Sequence, residues 1–266
     1  MNKIVGVVLL LVFVSSCRSE FETIRTSNDP ERIFAKAEEY FDKEEYYKAQ
    51  DLYKLVIPYF RGKEKAETLF YKYAYTYYNN GEYILSSHYF KSFANTFYNS
   101  SKREEMDFMS AYSHYLMSPN SKLDQTYTGK AIESFQTFAN SYPNSTRISE
   151  INSLIDEMRD KLEKKSFEQA HLYYKLKQYK AAVQSFDNML KDYPGSPKSE
   201  EARFLKMKAA YTLAENSIYD RKEERYDEAM EYYAEFIKRH PNSKWKKDAA
   251  TIRKNTIKEL KKFGRV

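Results

Sequence analysis

Few residues of this chain stand at spacings that suit bond-making chemistry. The four histidines, His88, His114, His171 and His240, are far apart, and none has a partner at metal-ligand spacing. The paired acids Glu38/Glu39, Glu104/Glu105, Glu200/Glu201 and Glu223/Glu224 are adjacent in sequence. Adjacent residues point apart around a helix, so each pair reads as a solvated face rather than a shared acid site. There is no glycine-rich phosphate loop. These features argue against an enzyme and call for no cofactor and no metal. Cys17, the only cysteine, has the most telling context. Lys3 precedes an apolar run from Ile4 to Val14, and Ser15-Ser16-Cys17 follows. A positive start, a short apolar core and small residues make residues 1–16 a secretory signal peptide. The run is about 11 residues, too short to span a bilayer. One cysteine leaves no disulfide within the chain.

The V-S-S-C sequence resembles a bacterial lipoprotein cleavage box, with Val14 where Leu is usual. That resemblance implies cleavage before Cys17 and lipidation of its thiol and amine. The alternative is an ordinary signal with a chance cysteine. Two or more acyl chains, at ~0.8 kcal/mol per buried CH₂, give a stable anchor. Residues 17–28 then form a lipidated N-terminus and a tether, Arg18 to Asn28 being polar and without periodicity. Asp29-Pro30 caps the first repeat helix, with Pro30 at its first position.

The elements that carry the rest are helix pairs. In Ala170 to Pro194, residues Ala182, Phe186 and Met189 fall at i, i+4 and i+7, one face of a helix. Pro194 stops that helix. The pattern recurs with Ala49, Ser86, Ala131, Ala182 and Ala229 as small anchors. Four residues on stand Tyr53, Phe90, Phe135, Phe186 and Tyr233; seven on stand Val56, Phe93, Phe138, Met189 and Phe236. Three stops, Tyr142–Ser145, Tyr193–Ser196 and His240–Ser243, give a proline and then a serine that can cap the next helix. The unit resembles the tetratricopeptide repeat (TPR), with anchor spacings of 37, 45, 51 and 47 instead of about 34. The expected fold is an all-α, TPR-like α-solenoid of about five helix pairs. Repeats 1–3 occupy residues 29–145, repeats 4–5 occupy 146–243, and a basic capping helix occupies 244–266. Repeat three carries an inserted loop, Ser118 to Thr128. A helix of about 30 residues, with Ile148, Ile151, Leu154, Ile155, Met158 and Leu162 on one stripe, leads into repeat four. Repeat five carries a polar insertion around Asp220 to Arg225.

Charged residues make up 31% of the chain and glycine and proline are scarce, which suits long exposed helices. A dispersed net charge of +6 does not argue for nucleic acid. The excess lies in aromatics, 26 Tyr and 17 Phe against one Trp. On the first helices of repeats one to three, the groove-facing positions hold Phe34, Glu38 and Phe41, then Tyr71, Tyr75 and Tyr78, then Phe108, Tyr112 and Tyr115. This stripe is either packing between repeats or a peptide groove, since aromatics give large contact area at low entropic cost. The last 29 residues carry 11 basic and two acidic residues. Lys246, Lys247, Arg253, Lys254 and Lys258 lie largely off the apolar stripe of Trp245, Ala249, Ile252 and Leu260. They read as a dock for an acidic partner or anionic lipid, or as a solvated face.

The lipoprotein box, short tether and five divergent repeats resemble the BamD-type lipoprotein of the bacterial outer-membrane β-barrel assembly machine. The most specific segments are Ala131 to Ser145 and Ala170 to Pro194. The resemblance implies a non-catalytic protein on the outer membrane, lipid-anchored and facing the periplasm. It implies repeats that receive the aromatic-ended C-terminal segments of unfolded barrel proteins, and a C-terminal region that docks on the barrel-forming assembly protein. The alternative is a TPR lipoprotein that coordinates peptidoglycan or division machinery.

Overall fold

The repeat register read from the sequence is the register of the core. All five anchors, Ala49, Ser86, Ala131, Ala182 and Ala229, are buried, and so are the five residues seven positions on. Of the residues four positions on, Tyr53, Phe90, Phe135 and Phe186 have essentially no exposure, and only Tyr233 is half-buried. Small side chains at the anchors bring paired helices close, and the rings fill the volume beside them. The computed structural model describes residues 20–264. The signal peptide and Cys17 lie outside the described residues.

Twelve α-helices and one short 3₁₀ turn make up the described residues: α1 (Glu20–Arg25), α2 (Pro30–Asp42), α3 (Tyr46–Phe60), α4 (Ala66–Asn79), α5 (Tyr83–Thr96), α6 (Arg103–Leu116), α7 (Thr126–Ser141), α8 (Ile148–Lys175), α9 (Tyr179–Asp192), α10 (Ser199–Glu215), α11 (Tyr219–Arg239) and α12 (Lys246–Leu260). The fold is all-α and TPR-like. Two compact units form, the first from residues up to Pro119 with Gln125–Ile155, the second from Asn120–Asp124 with residues from Asp156 on. The division falls inside α8, which is unbroken for 28 residues as its apolar stripe foretold.

In the first unit, α2 through α7 pair in chain order. Asp29 caps α2 by accepting the Arg32 N–H at 3.1 Å, with Pro30 at the first helical position. The segment read as a polar tether without periodicity, Arg18 to Asn28, contains a helix. Its residues Glu20–Arg25 form α1, where Ile24 is buried and the Phe21 ring packs 6.0 Å from Tyr40. Two apolar residues three apart on one helical face were the signal, and polarity around them masked it.

The turn inside repeat two uses Gly81 at φ 75°, as the Asn-Gly pair predicts. Its equivalents in repeats one and four are Glu44 at φ 60° and Lys177 at φ 59°. Each turn closes with the same backbone bonds, such as Glu45 N–H to Tyr40 O at 2.8 Å and Gln178 N–H to Tyr173 O at 3.0 Å.

In the second unit, Phe167, Ala170, Ala182, Phe186, Met189 and Ala209 form one core around α8, α9 and α10. The extra residues of repeat five do not form a loop. They lengthen α11 to 21 residues. The capping helix packs through Trp245, whose ring stacks 5.3 Å from Phe204, and through buried Ala249 and Leu260.

Candidate functional site

The nine first-helix positions separate into two kinds. Phe34 and Phe108 are core residues rather than groove-lining ones. Phe34 packs 5.1 Å from Phe60 and 6.1 Å from Tyr53, and Phe108 lies 6.0 Å from both Phe135 and Phe138. Both are buried, so neither presents a ring face to an incoming chain. In repeats one and three the position three before the small residue faces the second helix of its own pair, which the spacing alone does not reveal.

The other rings are half-buried. Phe41 leans on Tyr46 at 5.5 Å, with the Lys72 ammonium 5.0 Å from its centre. On α4, Tyr71 and Tyr75 sit 4.9 Å apart, and Tyr78 lies 6.3 Å from Tyr75. On α6, Tyr112 stacks on Phe108 at 5.6 Å, and Tyr115 follows at 5.5 Å. Each of these five tyrosines leaves part of its ring accessible, an apolar body with a polar tip.

One carboxylate organises the α4 rings. Tyr71 Oη donates to Glu105 Oε1 at 3.1 Å, and Tyr75 Oη donates to the same oxygen. Burial, reinforced by the Glu105 charge, pushes both phenols up, so they stay neutral donors. The Lys102 ammonium lies 4.4 Å from the Tyr71 ring. A parallel arrangement serves α2: Glu38 accepts from Tyr53 and pairs with Lys72 at 2.7 Å. The adjacent acids therefore do split around their helices, but Glu38 and Glu105 are not solvated faces; each joins its helix to a neighbour. Adjacency in sequence to Glu39 and Glu104 hid this role.

A second set of carboxylates locks successive repeats. Ser100, Ser145 and Ser196 each accept the N–H two residues on, from Lys102, Arg147 and Lys198, at 3.0, 3.1 and 2.9 Å. The same hydroxyls donate to Glu67, Glu104 and Glu163, at 2.7, 2.6 and 2.6 Å. The capping role expected of Ser145 and Ser196 thus has a second half that the turn sequence does not show. Ser243 accepts the Trp245 N–H at 3.0 Å in the same way.

A polar cleft of about 460 Å³ lies beside α5, α6 and α7. Its hydroxyls are used within the protein: Ser87 Oγ is 2.9 Å from His114 Nε2, and Ser134 Oγ is 3.0 Å from His114 Nδ1. In the second unit, the groove positions of repeat four are Phe167, His171 and Tyr174, with Phe167 buried. The basic set on α12 behaves differently from the rings. Lys246, Lys247, Arg253, Lys254 and Lys258 are all exposed. Arg253 lies 5.7 Å from the Tyr233 ring, and the four lysines make no ion pair among the described residues.

Three similarities bear on this arrangement. A family model described as outer membrane lipoprotein matches residues 26–224. A tetratricopeptide repeat model matches residues 207–243. The chain is 26% identical over 148 residues to a protein of Rickettsia prowazekii (strain Madrid E) named outer membrane protein assembly factor BamD. That match covers 56% of this chain and spans about half, 55%, of the relative's own length. A solved structure, the crystal structure of the apo form of RapI, aligns over 88% of this chain and 82% of its own at 18% identity. Its TM-score of 0.31 is too low to bear on fold or function.

Proposed function

The chain belongs to the outer membrane lipoprotein family, and from that premise we propose that it is a non-catalytic scaffold and substrate receptor for assembly of β-barrel proteins into the outer membrane. In this reading Cys17 carries the lipid anchor and the repeats face the periplasm. The single observation that carries the receptor role is the row of half-buried tyrosines on α4 and α6, Tyr71, Tyr75, Tyr78, Tyr112 and Tyr115. Unfolded barrel proteins would enter as extended segments, their aromatic C-terminal residues resting against these rings. Phe41 and the Lys72 ammonium continue the row onto α2. Lys102, beside Tyr71, stands where a terminal carboxylate would gain a charge partner. The barrel-forming assembly protein would dock on the second unit, with the unpaired cations of α12 meeting acidic residues.

The test is binding of a fluorescent peptide that ends in a barrel-type aromatic residue. Tyr71→Ala with Tyr78→Ala should weaken it by about tenfold, the scale of one or two aromatic anchors. Unaltered affinity, with the far-ultraviolet circular dichroism unchanged, sinks the site assignment. Swapping the peptide's aromatic terminus for serine should lower affinity for the wild type more than for the variant.

A further inference from the structure

Among the second helices of the described residues, the outward face of α3 carries the longest row of exposed apolar side chains. Tyr47, Leu55 and Tyr59 are 65%, 47% and 44% exposed, and Pro58 beside them is exposed as well. At 100° per residue these four fall within about a third of the helix circumference, opposite Ala49, Tyr53 and Val56 in the core. The same three positions in the other repeats are Ile84, Ser92 and Thr96; Gly129, Thr137 and Ser141; Lys180, Asn188 and Asp192; Asp227, Glu235 and Arg239. At these positions the apolar row is confined to repeat one apart from Ile84 in repeat two, where Leu85 beside it is also 42% exposed. Packing within the fold does not account for it, since these side chains stand in solvent.

The position of the chain's N-terminal end says what covers the row. The described chain starts at α1, which packs against α2 and the start of α3. Glu20 pairs with Lys36 at 2.5 Å, and both Lys36 and Lys48 lie over the Tyr40 ring, at 5.3 and 5.0 Å. Lys48 is the neighbour of Tyr47, so the Tyr40 ring under both lysines joins α1 and α2 to the start of the row. Cys17 precedes Glu20 by three residues, a reach of at most about 10 Å. A lipidated Cys17 would hold this corner of repeat one at the bilayer surface.

Resting on that anchoring, we propose that the outward face of α3 lies against the headgroup region of the membrane that holds the anchor. The chemistry suits that layer. Tyrosine places an apolar ring beside acyl carbons and a hydroxyl in water, and lysine stems reach past apolar surface to phosphates. Lys54 and Arg61 flank the row without a carboxylate partner among the described residues, and the Lys63 ammonium sits 3.2 Å from the centre of the Tyr59 ring. From Tyr47 to Tyr59 the row runs about 18 Å. Anionic headgroups would meet its basic end, and the acyl chains on Cys17 would enter beside its other end. The helix lies on the membrane and does not cross it: among the described residues no helix is long and apolar enough to span a bilayer.

Lipidation occupies the only native thiol, so an introduced cysteine is uniquely labelled. The lipidated full chain, carrying Asp51→Cys or, as control, Asn188→Cys, is reacted with an environment-sensitive fluorophore and reconstituted into phosphatidylcholine/phosphatidylglycerol vesicles. Lipids with a nitroxide near the headgroup then quench the label. Quenching several times stronger at position 51 than at position 188 is expected, falling to the control level when Tyr47, Leu55 and Tyr59 are all serine. Equal quenching at the two positions in vesicle-bound protein overturns the proposal and leaves the anchor intact. Protein that does not co-float with vesicles overturns the anchoring itself. Circular dichroism of the triple variant separates lost contact from lost fold.

Discussion

The ammonium of Lys206 on α10 lies 2.7 Å from Asp187 on α9, and the Lys206 side chain is 6% exposed. The other Asp187 oxygen meets Lys191 at 2.7 Å, and the Lys206 ammonium sits 4.1 Å from the Tyr232 ring. Removing one partner of such a pair leaves the other charge buried, whereas an apolar replacement of the buried member is tolerated. Lys206 keeps Glu235 at 4.0 Å and Asp187 is 28% exposed, so Asp187→Ala should cost about 2 kcal/mol in urea unfolding, and Lys206→Met less than half of that.

The same pair sets an acid dependence. Burial alone would raise the Asp187 carboxyl, but its bonds to Lys191 and Lys206 outweigh it and hold the group below the usual range. A depressed carboxylate contributes stability that is present above its unfolded pKa of about 3.9 and is lost as pH falls through the folded value. Below about pH 4 the wild type should lose stability more steeply than Asp187→Ala, read as urea midpoints against pH.

His114 gives a second, separate window. Burial and then the Lys130 charge push its imidazole below the ordinary value, and both ring nitrogens are held by serines. The unfolded chain takes up that proton first, so this stabilisation is full above about pH 6.5 and declines as pH drops below it. His114→Gln should flatten the stability slope between about pH 7 and pH 5.

The serine clamps predict a cost that a cap alone would not. Ser145→Ala removes the bond to Arg147 N–H and strands Glu104 beside the turn. A loss of about 1–2 kcal/mol is expected, against near zero for Ser141→Ala, whose exposed hydroxyl only bonds back to Thr137 O. Thermal melts of the two variants compare them directly.

The left-handed turn residues predict a gain. Lys177 occupies at φ 59° the position that Gly81 fills in repeat two. A side chain there costs roughly 1–2 kcal/mol, so Lys177→Gly should stabilise by up to about 1 kcal/mol after glycine's own entropic cost. A lower urea midpoint for the glycine variant would contradict this.

The repeat register was legible because a buried small residue followed by rings at four and seven positions is a one-dimensional pattern. It placed Ala182, Phe186 and Met189 in the core without any partner being known. Features that join different helices left weaker traces. Glu105 reads in sequence as half of a solvated acid pair, yet it holds two phenols from a helix 30 and 34 residues away. Phe34 and Tyr71 occupy the same repeat position, but one is buried and the other half-exposed, a difference that the repeat spacing does not carry. The helix within the tether was illegible for a related reason. Phe21 and Ile24 only become apolar contacts once Tyr40 and the first repeat are in place.

Winding Glu20–Arg25 into a helix also changes the mechanics of attachment. Its six residues span about 9 Å as a helix and about 20 Å as extended chain. Its hold on the repeats includes the buried Ile24, the Phe21 ring and the exposed Glu20–Lys36 pair. With Cys17 lipidated as proposed, tension on that end would draw on this short helix first. The leash would lengthen by about 10 Å while the tyrosine row kept its shape.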